Sequence, residues 1–348
     1  MERYIGLDAH AKSCTFAVIS ESGKRLKSAV VETNGRALIE FIKTVPGRTH
    51  VCLEEGTQSG WLYEILSPHV DEIIVAHLEQ EQRGRKDDLT DAFARAEQLR
   101  AGTVTPVFKD GGRLGELRSL VDVQVQVTVD LVRIQNRLKA LYRSRGVSTP
   151  GGQVYSQTHR DAHLSQLPAP YRPSALLLYA QLDAVQQVKK DADKQLIECS
   201  HKHAIARTLQ TCPGLGPIRV AQLIATMITP HRFRGARQLW AYSGLGIVMR
   251  SSSDWVMSSG GWQRAELNKT RGLNRNYNRR LKAIFKGAAT AVLSHRIEPL
   301  YADYVRLTEQ GTKPPMAKLT LARKIAATVL AMWKNQEVYD PQRHRSKG

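Results

Sequence analysis

The chain has 348 residues, 42% of them hydrophobic, with 51 Lys and Arg against 32 Asp and Glu, a net charge of +19 and a pI near 9.9. That length supports two or three domains with buried cores, and so large a cationic surplus points to a polyanionic partner, because neutralised phosphates release condensed counterions. It excludes a membrane-spanning protein, since no stretch approaches the ~18 apolar residues a spanning helix needs. Cys14, Cys52, Cys199 and Cys212 are scattered, which excludes a CxxC zinc site and a disulfide framework. With no signal-peptide h-region ahead of the first strand pattern, the expected compartment is the cytoplasm.

Three short β-rich runs open the chain, at 3–7, 14–19 and 26–32, with turn chemistry at Gly23-Lys24. Such close connections predict an antiparallel meander. Asn34 is read as the cap of a helix running through Lys43. A fourth strand follows at 49–54, a helix at 58–66, a fifth strand at 72–76, a helix at 88–100 and a further strand at 104–108. Three antiparallel strands followed by alternating helix and strand is the element order of the ribonuclease-H-like fold.

From 114 to 145 the pattern becomes one long helix, with Leu117, Val121, Leu131, Leu138 and Leu141 among its apolar positions at spacings of three and four. A second long helix, 173–202, follows a Gly- and Pro-punctuated loop at 146–170. The two predict an antiparallel, coiled-coil-like arm, although a plain helical subdomain would give the same periodicity. Beyond Ala206, Pro213-Gly-Leu-Gly216 resembles the turn of a helix-hairpin-helix, and helices are expected at 218–227, 276–295 and 318–334. The expected organisation is thus α/β plus α. It comprises an α/β domain at 1–110, a long-helix arm at 111–205, a mainly helical domain at 206–337 and a polar tail at 338–348.

Two carboxylates end apolar strands, Asp8 and Glu54, and Asp87, Asp88 and Asp91 fall in the first turn of a later helix. A first-turn aspartate serves the helix dipole by itself. Asp88 and Asp91, three apart, share a face, and if strands one and four are neighbours both strand-end carboxylates open towards that helix. Such a cluster repels itself unless cations neutralise it, and paired Mg²⁺ ions suit phosphodiester chemistry. His10, two residues beyond Asp8, is a candidate neighbour of that site. Arg250, Arg264, Lys269, Arg271, Arg275, Arg279, Arg280 and Lys282 crowd a segment with few acidic partners, which points to phosphate contact. Ser251, Ser252 and Ser253 lie in a polar loop, where serine is ordinarily a loop former.

The motifs have a family likeness. Tyr4-Ile-Gly-Leu-Asp8-Ala-His-Ala-Lys12, Leu53-Glu-Glu-Gly-Thr57 and Lys86-Asp-Asp-Leu-Thr-Asp-Ala92 carry it in the first part, with Asp87 where the family has threonine. In the second part it is carried by Pro213-Gly-Leu-Gly-Pro217, the segment from Phe233 to Leu245, and Arg271-Gly-Leu-Asn-Arg275. Over nearly its whole length the chain resembles the IS110 group of bacterial insertion-sequence transposases, relatives of the Piv DNA invertase. The resemblance implies a RuvC-like domain whose Asp8, Glu54, Asp88 and Asp91 form a DEDD site for Mg²⁺ or Mn²⁺, with Glu55 as the alternative to Glu54. It implies a DNA-attacking serine at Ser252, with Ser251 and Ser253 as alternatives. It also implies donor and target DNA as substrates, a structured noncoding bridge RNA as guide, a homodimer or homotetramer, and the bacterial cytoplasm.

The expected reaction is metal-assisted cutting and rejoining of DNA through a phosphoserine intermediate. A RuvC-type nuclease or junction resolvase would use the same carboxylates with water as nucleophile. An actin-like or sugar-kinase ATPase also opens on a strand-end aspartate, but its phosphate loops need Gly and Ser/Thr where this chain has Ala9-His10-Ala11. A non-catalytic nucleic-acid-binding protein is the remaining alternative.

Overall fold

Four successive residues of Glu2–Ala9, from Ile5 to Asp8, are buried, as expected of a strand covered on both faces, and this segment forms β1 at the centre of a six-stranded sheet in the computed structural model. The structure describes residues 1–77, 87–109, 111–250, 255–264, 270–274 and 276–343, with backbone alone at 249, 250, 256, 264, 270 and 271. Contacts divide the chain into two units, Met1–Leu114 and Gly115–Gly348.

In the first unit β1 pairs antiparallel with β2 (Ser13–Ser20), and β2 with β3 (Arg25–Glu32), as the short turns require. On its other side β1 pairs in parallel with β4 (Arg48–Glu54), and β4 with β5 (Glu72–His77); β6 (Thr105–Val107) closes the sheet antiparallel to β5. The spatial order is β3-β2-β1-β4-β5-β6. Parallel neighbours need crossovers, here α1 (Gly35–Lys43) and α2 (Ser59–Leu66); α3 (Asp88–Arg100) links β5 to β6. Asn34 caps α1 by accepting the Ala37 N–H at 2.8 Å, as the sequence anticipates.

Strand alternation then assigns the faces. Ile5, Leu7, Val51 and Leu53 point one way and pack with Leu38, Phe41, Leu62 and Leu66 from α1 and α2. Each such side chain contributes roughly 1.5–3 kcal/mol relative to exposure. Tyr4, Gly6, Asp8, Cys52 and Glu54 fall on the opposite face by the same period of two. On that face Tyr4, Cys52, Ile74 and Ala76 cluster with Leu99 of α3.

The second unit is mostly helical. α4 (Gly115–Arg143) and α6 (Arg172–His201) pack along one another, joined through a segment that holds the short α5 (Arg160–Ser165). Their buried positions, Leu117, Val121, Gln124, Ile134, Leu138 and Tyr142 against Ala175, Tyr179, Leu182, Ala192, Leu196 and Cys199, keep spacings built from threes and fours. α7 (Ile205–Gln210) leads through Gly214, where a φ of +81° and a Cβ that would stand 2.4 Å from the Ala288 carbonyl oxygen exclude a side chain, into α8 (Pro217–Met227). Then follow α9 (Ala236–Tyr242), β7 (Ile247–Arg250), β8 (Trp255–Ser258), β9 (Gly261–Arg264), β10 (Thr270–Leu273), α10 (Arg279–His295), α11 (Leu300–Glu309) and α12 (Pro314–Asn335). β7 pairs with β10 and β8 with β9, both antiparallel.

Several sequence expectations need correction. The helix expected from 276 begins at Arg279, because Asn278 is its cap and accepts the Leu281 N–H. The last helix starts at Pro314, where proline is pre-shaped for a first turn, rather than at 318. α5, α7, α9 and the four short strands of the second unit went unread, each too short to register a period, and α11 was missed although it has ten residues. Among the described residues no helix is long and apolar enough to cross a membrane.

Candidate functional site

The period of two that buries Leu7 on one face turns Asp8 to the other, and the pairing of Leu7 with Leu53 sets Asp8 beside Glu54. α3 lies across this face because β1 carries Gly6 there: a Cβ at Gly6 would sit 1.8 Å from the Ala92 carbonyl oxygen. Ala92 and Ala96, both fully buried, are the helix side of that close approach. Asp88, Asp91, Ala92, Arg95 and Ala96 are spaced along a single helix face, so the packing that buries the alanines also presents Asp88 and Arg95 to the strand ends.

The resulting contacts join β1, β4 and α3. Arg95 Nη1 lies 2.9 Å from Asp8 Oδ1, and Arg95 Nη2 donates to Glu54 Oε2 at 2.9 Å. His10, in the β1–β2 turn, places Nε2 3.2 Å from Asp8 Oδ2 and 3.3 Å from Asp88 Oδ1. Thr33 fixes that turn by donating its hydroxyl to the His10 carbonyl. Asp87 caps α3, accepting from the backbone and hydroxyl of Thr90, so its carboxylate is engaged in holding the helix start.

The structure thus brings together Asp8, Glu54 and Asp88 of the four sequence-selected carboxylates. Asp91 sits one turn further along α3, and among the described residues no side-chain contact ties it to the other three. Glu55 turns elsewhere, with Oε1 3.5 Å from Lys109 Nζ. Arg95 was not anticipated, although its place seven residues after Asp88 and four after Asp91 marks the same helix face. One ligand atom each from Asp8, His10 and Asp88 lies within 4.8 Å of the others. Two hard carboxylates and an imidazole, one buried and two exposed, fit a divalent cation reached from solvent. Cys52, on the same face, is fully buried, and burial pushes its thiol up to about 11, against the pull of Arg95.

Of the basic candidates, Arg279 and Lys282 lie in the first turn of α10, Arg279 exposed and Lys282 4.0 Å over the Tyr277 ring. Arg280 is tied to Asp122 at 2.6 Å, so it is less available to phosphate than the sequence suggests. Arg250, Arg264 and Arg271 stand at strand positions whose side chains are not described. Ser251, Ser252, Ser253, Lys269 and Arg275 lie outside the described residues. A further surface was missed: Trp255 and Met257 lie two apart on β8, Met257 pairs with Trp262 on β9, and all three are more than half exposed.

Comparison with known proteins adds the family. A family model described as a transposase, of the DEDD IS110 type, matches residues 5–144, and one described as the IS116/IS110/IS902 transposase family matches 206–306. The uncharacterized 44.8 kDa protein of insertion element IS116 from Streptomyces clavuligerus is 24% identical, over 97% of this chain and 96% of its own. A mini-circle transposase candidate for IS117 from Streptomyces coelicolor is 29% identical, over 43% of this chain and 40% of its own. With both halves matched in order and a full-length relative alongside, the chain belongs to the IS110 family of transposases.

Proposed function

We propose that this transposase cuts and rejoins DNA at the carboxylate site of its first unit, in a domain of the ribonuclease-H or RuvC type, with Ser252 as nucleophile. The observation that carries the proposal is the convergence of Asp8, Glu54 and Asp88 from a strand end, a neighbouring strand end and a helix start on one face of the sheet. Asp8, His10 and Asp88 would hold Mg²⁺ or Mn²⁺, with Asp91 one turn away. Such an ion, when bound, supplies polarisation of a scissile phosphate. The Ser252 hydroxyl forms the Oγ–P bond while one ester P–O bond of the DNA breaks, and the departing deoxyribose oxygen takes a proton. The phosphoester is conserved for rejoining.

The basic positions from Arg250 to Lys282 would hold phosphates, and the exposed Trp255 and Trp262 would stack on unpaired bases. The α4–α6 pair reads as a coiled-coil arm for self-association into a dimer or tetramer. The family resemblance adds a bridge RNA that pairs with donor and target while the protein reads backbone and shape.

Incubating the protein and Mg²⁺ with labelled donor DNA, then denaturing, tests the chemistry. The wild type should leave a covalent protein–DNA adduct that Ser252→Ala loses, while Asp88→Asn loses all cleavage. Cleavage without an adduct would establish water as nucleophile and favour the nuclease reading; an adduct surviving in Ser252→Ala would move the role to Ser251 or Ser253.

A further inference from the structure

We infer that Arg95 is a resident cation of the carboxylate site, so that the site takes one divalent ion, at Asp8, His10 and Asp88, rather than a pair. The inference rests on the metal-binding reading above and adds what limits the number of ions.

The two oxygens of Asp8 have separate partners. Oδ1 faces Arg95 Nη1 at 2.9 Å, whereas Oδ2 faces His10, which also reaches Asp88. Glu54 gives Oε2 to Arg95 Nη2 at 2.9 Å. The guanidinium therefore occupies the space between Asp8 and Glu54 where a second ion would have to sit, and leaves the Asp8–His10–Asp88 triangle open. Two catalytic ions stand about 3.5–4 Å apart and share a carboxylate, so a second ion needs the oxygens Arg95 already holds.

Arg95 is not a surface side chain that can swing aside. It is 4% exposed, and its Nε and Nη1 are buried with no hydrogen-bond partner among the described residues, so it meets Asp8 as an ion pair and Glu54 through a hydrogen bond from Nη2. Removing it would leave buried Asp8 without its counter-charge, a costly arrangement. Arg95 is thus a positioning residue, acting through Asp8 on how the ion is held.

Mn²⁺ titration of the full-length protein, counting bound ions by electron paramagnetic resonance and checking the fold by circular dichroism, tests this. The wild type should bind one Mn²⁺ per chain. His10→Gln and Asp88→Asn should each weaken that ion by about tenfold or more, while Glu54→Gln, outside the triangle, should change its affinity by less than about threefold. A folded Arg95→Gln chain should gain a second ion. Should that variant not fold, the wild-type stoichiometry and the Glu54→Gln affinity still decide. Two ions in the wild type, or one ion in folded Arg95→Gln, would overturn the role of Arg95 while leaving the metal reading intact. No ion in the wild type would remove the metal reading and this inference with it.

Discussion

Gly6 is where one methyl group would disturb the most chemistry. Its Cβ would meet the backbone of Ala92 and Ala96, not a flexible side chain, so Gly6→Ala must push α3 away from β1. Overpacking of this kind costs about 1–3 kcal/mol, and the same shift withdraws Asp88 and Arg95 from Asp8. Urea denaturation should show a loss near the top of that range together with weaker Mn²⁺ binding; a variant of unchanged stability would mean that α3 does not lie on β1. A second residue-scale test concerns His50, which sits 2.6 Å from Glu2 and 2.7 Å from Glu72. Burial works to lower its pKa, but hydrogen bonds to the two carboxylates outweigh burial and hold it above 6.5; the bond from His50 holds Glu2 below 4.5. His50 therefore stabilises the fold fully below pH 6.5, an effect lost as pH rises through its raised folded value. Glu2 contributes above pH 4.5, an effect lost as pH falls through its lowered value. The melting-temperature gap between wild type and His50→Gln should accordingly be widest between these limits and shrink towards alkaline pH. A gap independent of pH would rule the linkage out. At this scale Asp8, Glu54 and Asp88 were legible because strand ends and helix starts are local signals. Arg95 was not, because its partners are set by how a helix crosses a sheet.

At the scale of elements, length decided much of what could be read, the ten-residue α11 being the exception. α1, α3, α4 and α6 span two or more turns, and their ends were anticipated within one or two residues. β7 to β10 have four residues each, too few for alternation to stand out from a basic loop. That is how the β8–β9 ribbon, with Trp255, Met257 and Trp262 exposed, escaped notice. A two-stranded ribbon is marginal without a covered face, and beside so many cationic positions an aromatic face suits unpaired bases. Trp262→Ala should cost about 1–3 kcal/mol of affinity for single-stranded DNA and leave its salt dependence unchanged. Arg279→Ala should instead flatten the salt dependence by about one unit of slope. Fluorescence anisotropy over a range of salt separates the two; if Trp262→Ala alters only the oligomeric state, the ribbon is a protein interface. In the α4–α6 pair, Gln124 is buried yet donates to Asp193 at 2.9 Å and accepts from Gln222 at 2.8 Å. Periodicity shows a seam there but not its polar lock, since the partners come from α6 and α8.

Over the whole molecule the charge is divided more sharply than the net value suggests. Residues 1–114 carry 15 Lys and Arg against 17 Asp and Glu, whereas residues 115–348 carry 36 against 15. The unit that holds the carboxylate site is therefore slightly acidic, and the entire cationic surplus belongs to the other. Counterion release then assigns most of the DNA affinity to the second unit, while the first needs only enough positive charge, from Arg95 and a divalent ion, to admit one phosphate. Binding and cutting should consequently separate on chelation. With EDTA, duplex affinity at fixed ionic strength should stay within about threefold of its value in Mg²⁺, and its steep decline with monovalent salt should persist, while cleavage stops. The comparison needs only anisotropy and a gel on the same samples. If EDTA instead lowered affinity by about tenfold or more, over 1.4 kcal/mol, the ion at Asp8 and Asp88 would be a principal anchor for DNA. The division of labour between an acidic cutting unit and a basic gripping unit would then be wrong.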